Sequence, residues 1–263
     1  MITRPARNYL RPLALLAAPL LAALTLSLAS APVLAADWNW GFGRSVSGSG
    51  TIKSETRNIT GFTGISLSLP AYVDVRQGNT ESVVVETDDN LLPLVETVVE
   101  DGKLKIRSLE KNTNLKTKNM KITVNVKTIE SLSVAGSGDI RSEALKAGNL
   151  KVSIAGSGDI HLKALDSDAL KVSISGSGDF SASGKSNTVE ASIAGSGDLK
   201  AEKLLANSVK VNIAGSGSAG FWAKESLKSS IAGSGDVTYY GDAQVSSSVA
   251  GSGSVKRLGA APN

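Results

Sequence analysis

Residues 153–160, Ser153-Ile154-Ala155-Gly156-Ser157-Gly158-Asp159-Ile160, return with small changes down the C-terminal half of the chain. The first glycine of each Gly-Ser-Gly falls at Gly136, Gly156, Gly176, Gly195, Gly215, Gly233 and Gly251, in steps of 20, 20, 19, 20, 18 and 18 residues. A fixed period in this range is the signature of a stacked solenoid with one supersecondary unit per repeat.

Aligning the copies on that glycine separates the two faces of the chain. Two residues before it stand Val134, Ile154, Ile174, Ile193, Ile213, Ile231 and Val249; four residues after it stand Ile140, Ile160, Phe180, Leu199, Ala219, Val237 and Val255. Both columns are apolar, whereas the column between, three before the glycine, is serine or asparagine from Ser133 to Ser248. Alternation with a period of two on both sides of a polar break reads as strand, turn, strand with one face buried. Two glycines per unit, with serine and β-branched residues, argue against a helix. The expected fold is all-β: a right-handed parallel β-helix-like solenoid with coils of 18–20 residues, a β-roll being the second choice.

Upstream, Ile65–Leu69, Tyr72–Val75, Ser82–Val85 and Lys103–Ile106 are strand-like, with turn signals at Gln77-Gly78-Asn79 and Asp101-Gly102. Asp88-Asp89-Asn90 before Leu91, Leu92, Leu94 and Val95 suggests one short capped helix lying over the end of the stack. An isolated copy of the repeat, Val46-Ser47-Gly48-Ser49-Gly50-Thr51-Ile52, is read as a first rung or as leader. Residues 1–35 carry Arg4, Arg7 and Arg11, an apolar run and a small-residue stretch ending at Ala35-Ala36, the pattern of a secretory signal peptide. The expected organisation is therefore a signal peptide over 1–35, an aromatic and Gly-Ser leader over 36–50, one solenoid domain over 51–258 and a tail over 259–263.

Removing 1–35 takes three arginines and no acidic residue, so the formal charge falls from +4 to +1, 25 basic against 24 acidic residues. A near-neutral chain gives no support to nucleic acid as a partner. The chain has no cysteine, which excludes disulfides and a lipid-modified cysteine anchor. The expectation is an exported protein, periplasmic or extracellular, with no membrane-spanning segment after signal cleavage. Aromatics at 4% and 27 glycines suit thin layers of small side chains better than a core of large rings.

The order of Arg57–Ile65, Ala71–Gly78, Asp89-Asn90-Leu91-Leu92, Gly102–Ile106 and then the Gly-Ser-Gly-Asp repeats resembles the bacterial family described as putative auto-transporter adhesin, head GIN domain, over about residues 51–258. The resemblance implies a right-handed parallel β-helix-like fold in exported proteins and brings no catalytic residues. After Val255-Lys256-Arg257 the sequence has no run of alternating ~10-residue strands such as a membrane barrel needs, so self-transport is not expected.

The sharpest chemical candidate is the column Asp139, Asp159, Asp179, Asp198 and Asp236, which stacking would place about 5 Å apart as oxygen ligands suited to calcium. Calcium-binding β-rolls instead use a nine-residue unit with a residue between glycine and aspartate. Ser218 and Ser254 also break the column. The reading preferred is a bend: glycine supplies positive φ, and Ser and Asp bond nearby amides. No other cofactor is expected.

Lys151, Lys171, Lys210 and Lys228, interrupted by Glu190, would form a basic stripe, read first as a solvated face and second as a binding surface. Trp38 and Trp40 could stack on a ligand or cap the first coil. His161, the single histidine, falls on an outward position, and Phe221-Trp222 fills a rung of smaller residues. Identical residues returning on every rung do not converge as catalytic groups do. The expected function is a non-enzymatic binding or adhesion-type module presenting Ser, Lys and Asp ladders to a protein or glycan at the cell envelope. Self-association of β-edges is the alternative, and a calcium-dependent or polysaccharide-acting β-helix enzyme a distant one.

Overall fold

A computed structural model describes residues 44–262. The expected signal peptide and both Trp38 and Trp40 lie outside the described residues. In chain order the strands are β1 (Ser45–Ser47), β2 (Ile52–Arg57), β3 (Gly64–Leu67), β4 (Tyr72–Gln77), β5 (Ser82–Asp88), β6 (Val95–Glu100), β7 (Lys103–Ser108), β8 (Asn114–Lys116) and β9 (Lys121–Val126). The repeats follow as β10 (Ser131–Gly136), β11 (Asp139–Ser142), β12 (Leu145–Gly156), β13 (Ile160–Gly176), β14 (Phe180–Gly195), β15 (Leu199–Gly215), β16 (Ala219–Gly233), β17 (Asp236–Tyr240), β18 (Gln244–Gly251) and β19 (Ser254–Gly259).

The repeats stack in parallel as a β-solenoid of about 6 turns, each residue lying on its equivalent in the next coil: Ile154 on Ile174, Ile174 on Ile193, Ile193 on Ile213 and Ile213 on Ile231. Within one coil the alternation breaks three times. From Ile160 the buried residues are 160 and 162, then 165 and 167, then 170, 172 and 174, with pairs of non-buried residues at 163–164 and 168–169 and the Gly-Ser-Gly turn between. Each break shifts the inward face by one residue, so each coil has three sides and three corners. Toward the C-terminus the coils shorten on the second side: Ala201 lies on Phe221 and Leu205 on Trp222, skipping the residues between.

The Gly-Ser-Gly corner follows from backbone contact between coils. Gly156 has φ +123°, a left-handed conformation open to glycine. The carbonyl of Gly136 in the coil below accepts both Ser157 N–H and Gly158 N–H at 2.9 Å. A β-carbon on Gly158 would collide with the carbonyl oxygen of Gly138. The same two-amide contact recurs at Gly156, Gly176, Gly195 and Gly233, so both glycine columns are required by stacking itself. Ile154 and Ile160 are buried as expected, Ser157 is exposed and Asp159 half-buried.

Stacking order departs from chain order in the N-terminal half. β3 and β4 lie directly on β10 and β11, yet residues 78–130 leave that coil, run out beyond it and return. On the way β7 adds in parallel to β3 and β9 to β4, after which β6 pairs antiparallel with β7, and β5 pairs antiparallel with both β9 and β2. The stack is thereby closed at this end by antiparallel strands. The expected capped helix is a single 3-10 turn, Leu92–Leu94, with no side-chain cap. Asp88, Asp89 and Asn90 bind the upstream Gly-Ser-Gly instead of capping a helix. Gly50 N–H donates to Asp88 Oδ1 at 2.6 Å, Ser49 Oγ to Asp89 Oδ1 at 2.6 Å and Ser49 N–H to Asn90 Oδ1 at 2.9 Å. The isolated repeat copy is thus pinned at the outer edge, where β1 pairs with β8. Among the described residues no helix is long and apolar enough to cross a membrane.

Candidate functional site

The Asp column is a hydrogen-bonded ladder. Asp159 Oδ1 accepts the amide of Asp179 at 2.8 Å, Asp179 Oδ1 that of Asp198 at 3.0 Å, Asp198 Oδ1 that of Ser218 at 3.1 Å and Asp236 Oδ1 that of Ser254 at 2.8 Å. The Asp139 carboxylate accepts Asp159 N–H at a longer 3.3 Å. One oxygen of each carboxylate therefore satisfies a corner amide of the next coil. Burial pushes the Asp179 carboxyl up, but the Lys200 ammonium at 2.9 Å and the Asp198 amide outweigh it and hold it below the usual carboxylate range. Among the described residues no group of three or more His, Cys, Asp or Glu side chains is placed to hold a metal ion.

The lysine stripe is a true column. Lys151 lies on Lys171, Lys171 on Glu190, Glu190 on Lys210 and Lys210 on Lys228. Glu190 bridges its neighbours, Lys171 Nζ at 3.2 Å and Lys210 Nζ at 3.3 Å, and these two ammoniums hold its carboxyl below its ordinary value. Among the described residues Lys151 and Lys228, at the two ends of the stripe, make no ion pair.

This column is one wall of a groove of about 1040 Å³ that runs across the coils at the corner before the third side. Its floor is Leu150, Leu170, Val189 and Val209, each at most 3% exposed. The opposite wall is short and polar or small, with Asn149, Ala169, Thr188, Ser208 and Ser226 in register. The sequence singles out the lysines but not this wall; its signal is the break in alternation at 168–169, where two successive residues escape burial.

The remaining sequence candidates do not join this groove. His161 is half-buried, and its Nδ1 lies 2.6 Å from Ser181 Oγ in the column running from Arg141 to Lys200. Phe221 is 1% exposed and fills the coil in which Ala219 replaces the larger Leu199 of the coil below, the packing role read from the sequence.

Over residues 61–243 the chain matches the family described as putative auto-transporter adhesin, head GIN domain. Its fold is shared by a putative adhesin from Bacteroides fragilis NCTC 9343, 24% identical, covering 81% of this chain and 100% of that chain with a TM-score of 0.76. A putative lipid binding protein from Parabacteroides distasonis ATCC 8503 is 26% identical, with 82% of this chain and 100% of that chain covered and a TM-score of 0.70. A putative adhesin from Parabacteroides merdae ATCC 43184 is 23% identical over 82% of this chain and 100% of that one, with a TM-score of 0.64. No curated protein matches the chain.

Proposed function

The chain belongs to the putative auto-transporter adhesin, head GIN domain family, and from that premise we propose that it is an exported, non-enzymatic adhesion-type module whose corner groove holds an extended acidic glycan of the cell envelope. The observation that carries this reading is the register of the groove. Four ammoniums and the Glu190 carboxylate repeat at the spacing of the coils along one wall, and with Glu130 at one end the lining carries +4 − 2 = +2. Coils stacked about 4.8 Å apart present one charge per step, close to the repeat of an extended pyranose chain. The hydroxyls of Thr188, Ser208 and Ser226 face that wall across the groove and suit sugar hydroxyls.

The name of the lipid-binding relative raises an acyl chain as the other occupant. The floor argues against it, because Leu170 and Val209 are already 1% and 2% exposed and have little apolar surface left to cover. A groove with one charged wall, one short polar wall and an occluded floor favours polar, multivalent contacts, each weak and summed along the chain.

The test is binding of residues 36–263 to a soluble polyuronate, with a neutral glucan of the same length and anionic lipid vesicles as the other arms. Binding to the polyuronate that weakens with salt, and that falls at least about tenfold in Lys151→Glu/Lys228→Glu, is expected. Equal binding to the neutral glucan, or preference for vesicles, would overturn the assignment.

A further inference from the structure

Among the described residues nothing covers the last coil, β18 and β19. β18 pairs only with β16, and β19 only with β17, so among the described residues no strand meets their outer edges. Every residue of β18 is exposed, and Gln244-Val245-Ser246-Ser247-Ser248-Val249-Ala250-Gly251 contains no charge. Val249 lies on Ile231 and Val245 on Leu227, so both extend the inner apolar columns; their partners are 1% and 0% exposed, and they themselves 41%. In the coils below, Gly136, Gly156 and Gly176 each give their carbonyl to two amides of the following coil; among the described residues the equivalent Gly251 carbonyl receives no such pair of amides. Along β18 the edge is uncharged with inward apolar side chains left bare, a template for another strand, whereas β19 beside it carries Lys256 and Arg257, the latter held by Gly241 O and Asp242.

We infer that this edge is a self-association site and that its occupant is the same edge of a second copy. The opposite end of the stack does not complement it. There β2 carries Lys53, Glu55 and Arg57 along the outer edge. The Arg57 guanidinium reaches back to Val95 O at 2.6 Å, Thr97 Oγ1 at 2.9 Å and Leu92 O at 3.1 Å, closing that end. Beside it, Glu96 and Glu100 are tied to Arg107, and Glu100 also to Lys105. Charges of this kind on an edge oppose strand addition. A head-to-tail polymer would need both ends open, and one is closed.

Each copy offers one bare edge, so association through it is two-fold, with β18 antiparallel to the partner's β18, and stops at the dimer. Val245 and Val249 of both copies then cover one another and continue the core across the interface. The arrangement would set two corner grooves on one particle and so adds avidity to an adhesion-type module, although the inference does not depend on what the groove binds.

Sedimentation velocity of residues 36–263 across a wide concentration range tests it, with thermal unfolding as the control for folding. A concentration-dependent dimer is expected, with no larger species, and Val249→Lys should weaken it on the order of tenfold or more. The single-cysteine variant Ser247→Cys, in a chain with no other thiol, should form a disulfide-linked dimer on oxidation, because the two-fold arrangement that sets Val245 of one copy against Val249 of the other sets Ser247 opposite itself. A monomer at all concentrations, a dimer indifferent to Val249→Lys, or an open-ended polymer would overturn the inference. Protection of β18 amides that is independent of concentration and is lost on deleting residues 36–43 would assign the edge to the chain's own leader instead, and would equally overturn it.

Discussion

At the N-terminal end of the stack the outermost strands run antiparallel to their neighbours, carry charges and are laced by Arg57; at the C-terminal end the outermost strands are parallel, β18 uncharged and fully exposed and β19 carrying Lys256 and Arg257. Both ends face the same problem, since a coil whose inner face meets no further coil leaves apolar side chains and half of its backbone groups to water. At one end about fifty residues, 78–130, leave the repeat to solve it. At the other, among the described residues, no strand covers β18 or β19. A stack can be extended by copying a coil, but it is ended only by chain that does not copy it.

The sharpest way to separate middle from end is to strain the same contact in both. Gly158→Ala puts a β-carbon into the Gly138 carbonyl, with the next coil seated above, so neither neighbour can move away. We expect a loss of about 4 kcal/mol or more in urea unfolding. Gly253→Ala makes the equivalent collision with Gly235, but among the described residues no strand pairs above its coil, which can lift. A loss near 1 kcal/mol is expected there. Equal losses would mean that the C-terminal coil is held as firmly as the interior.

Cavity formation gives the second contrast. Ile174 is 2% exposed between two coils, and Ile174→Ala should cost about 3 kcal/mol. Val249→Ala, at 41% exposure, should cost less than about 0.5 kcal/mol in dilute protein. Stability that depends on concentration in the wild type and not in Val249→Ala would tie the difference to the dimer.

A smaller effect is expected from unlacing the closed end. Arg57→Ala removes hydrogen bonds to two carbonyls and a hydroxyl, and should destabilise by about 1–2 kcal/mol. Hydrogen exchange should locate the loss in β2, β5 and β6 and leave β13 to β15 unchanged. Loss of protection spread over the whole stack would show that the cover and the coils unfold together.

The regular coils were legible because one coil specifies the next: the columns headed by Ile154 and Ile160 are inward as the alternation requires. So were β3, β4, β5 and β7, whose alternation is intact. What the alternation could not carry is order. Nothing in Lys103–Ser108 says that it stacks beneath Gly64–Leu67 while Ser131–Gly136 stacks above, because parallel pairing depends on distant segments. The helix expected after Asp88-Asp89-Asn90 fails for a related reason, since those side chains are taken by Ser49 and Gly50, about forty residues upstream. Of the groove, the lysine wall was visible as a column; the opposite wall was not, because the corner that makes it lies where the period slips.

Acid should open the two ends unequally, and this is the gentlest test of the comparison. The closed end depends on carboxylates. Asp88 is held below its ordinary value by the Thr117 hydroxyl and the Gly50 amide, Asp89 chiefly by the Ser49 hydroxyl, and Glu100 by Lys105 and then Arg107. A carboxyl whose folded-state pKa is depressed stabilises the fold fully above the unfolded value, about 4 for these residues, and loses that contribution as pH falls through the lowered folded value. Between pH 7 and pH 5 exchange should therefore be unchanged, and from about pH 4 downward Ser45–Arg57 and β5 to β7 should lose protection first. The contacts of β18 to β16 are main-chain pairs that include Lys228 but no carboxylate, so they should not respond in that window. In the middle, Asp179 and Glu190 also sit below the usual range, yet the coils around them are held by backbone ladders and buried columns on both sides, so those amides should be the last to exchange. Simultaneous loss at both ends would show that the charged cover contributes nothing that the bare edge lacks.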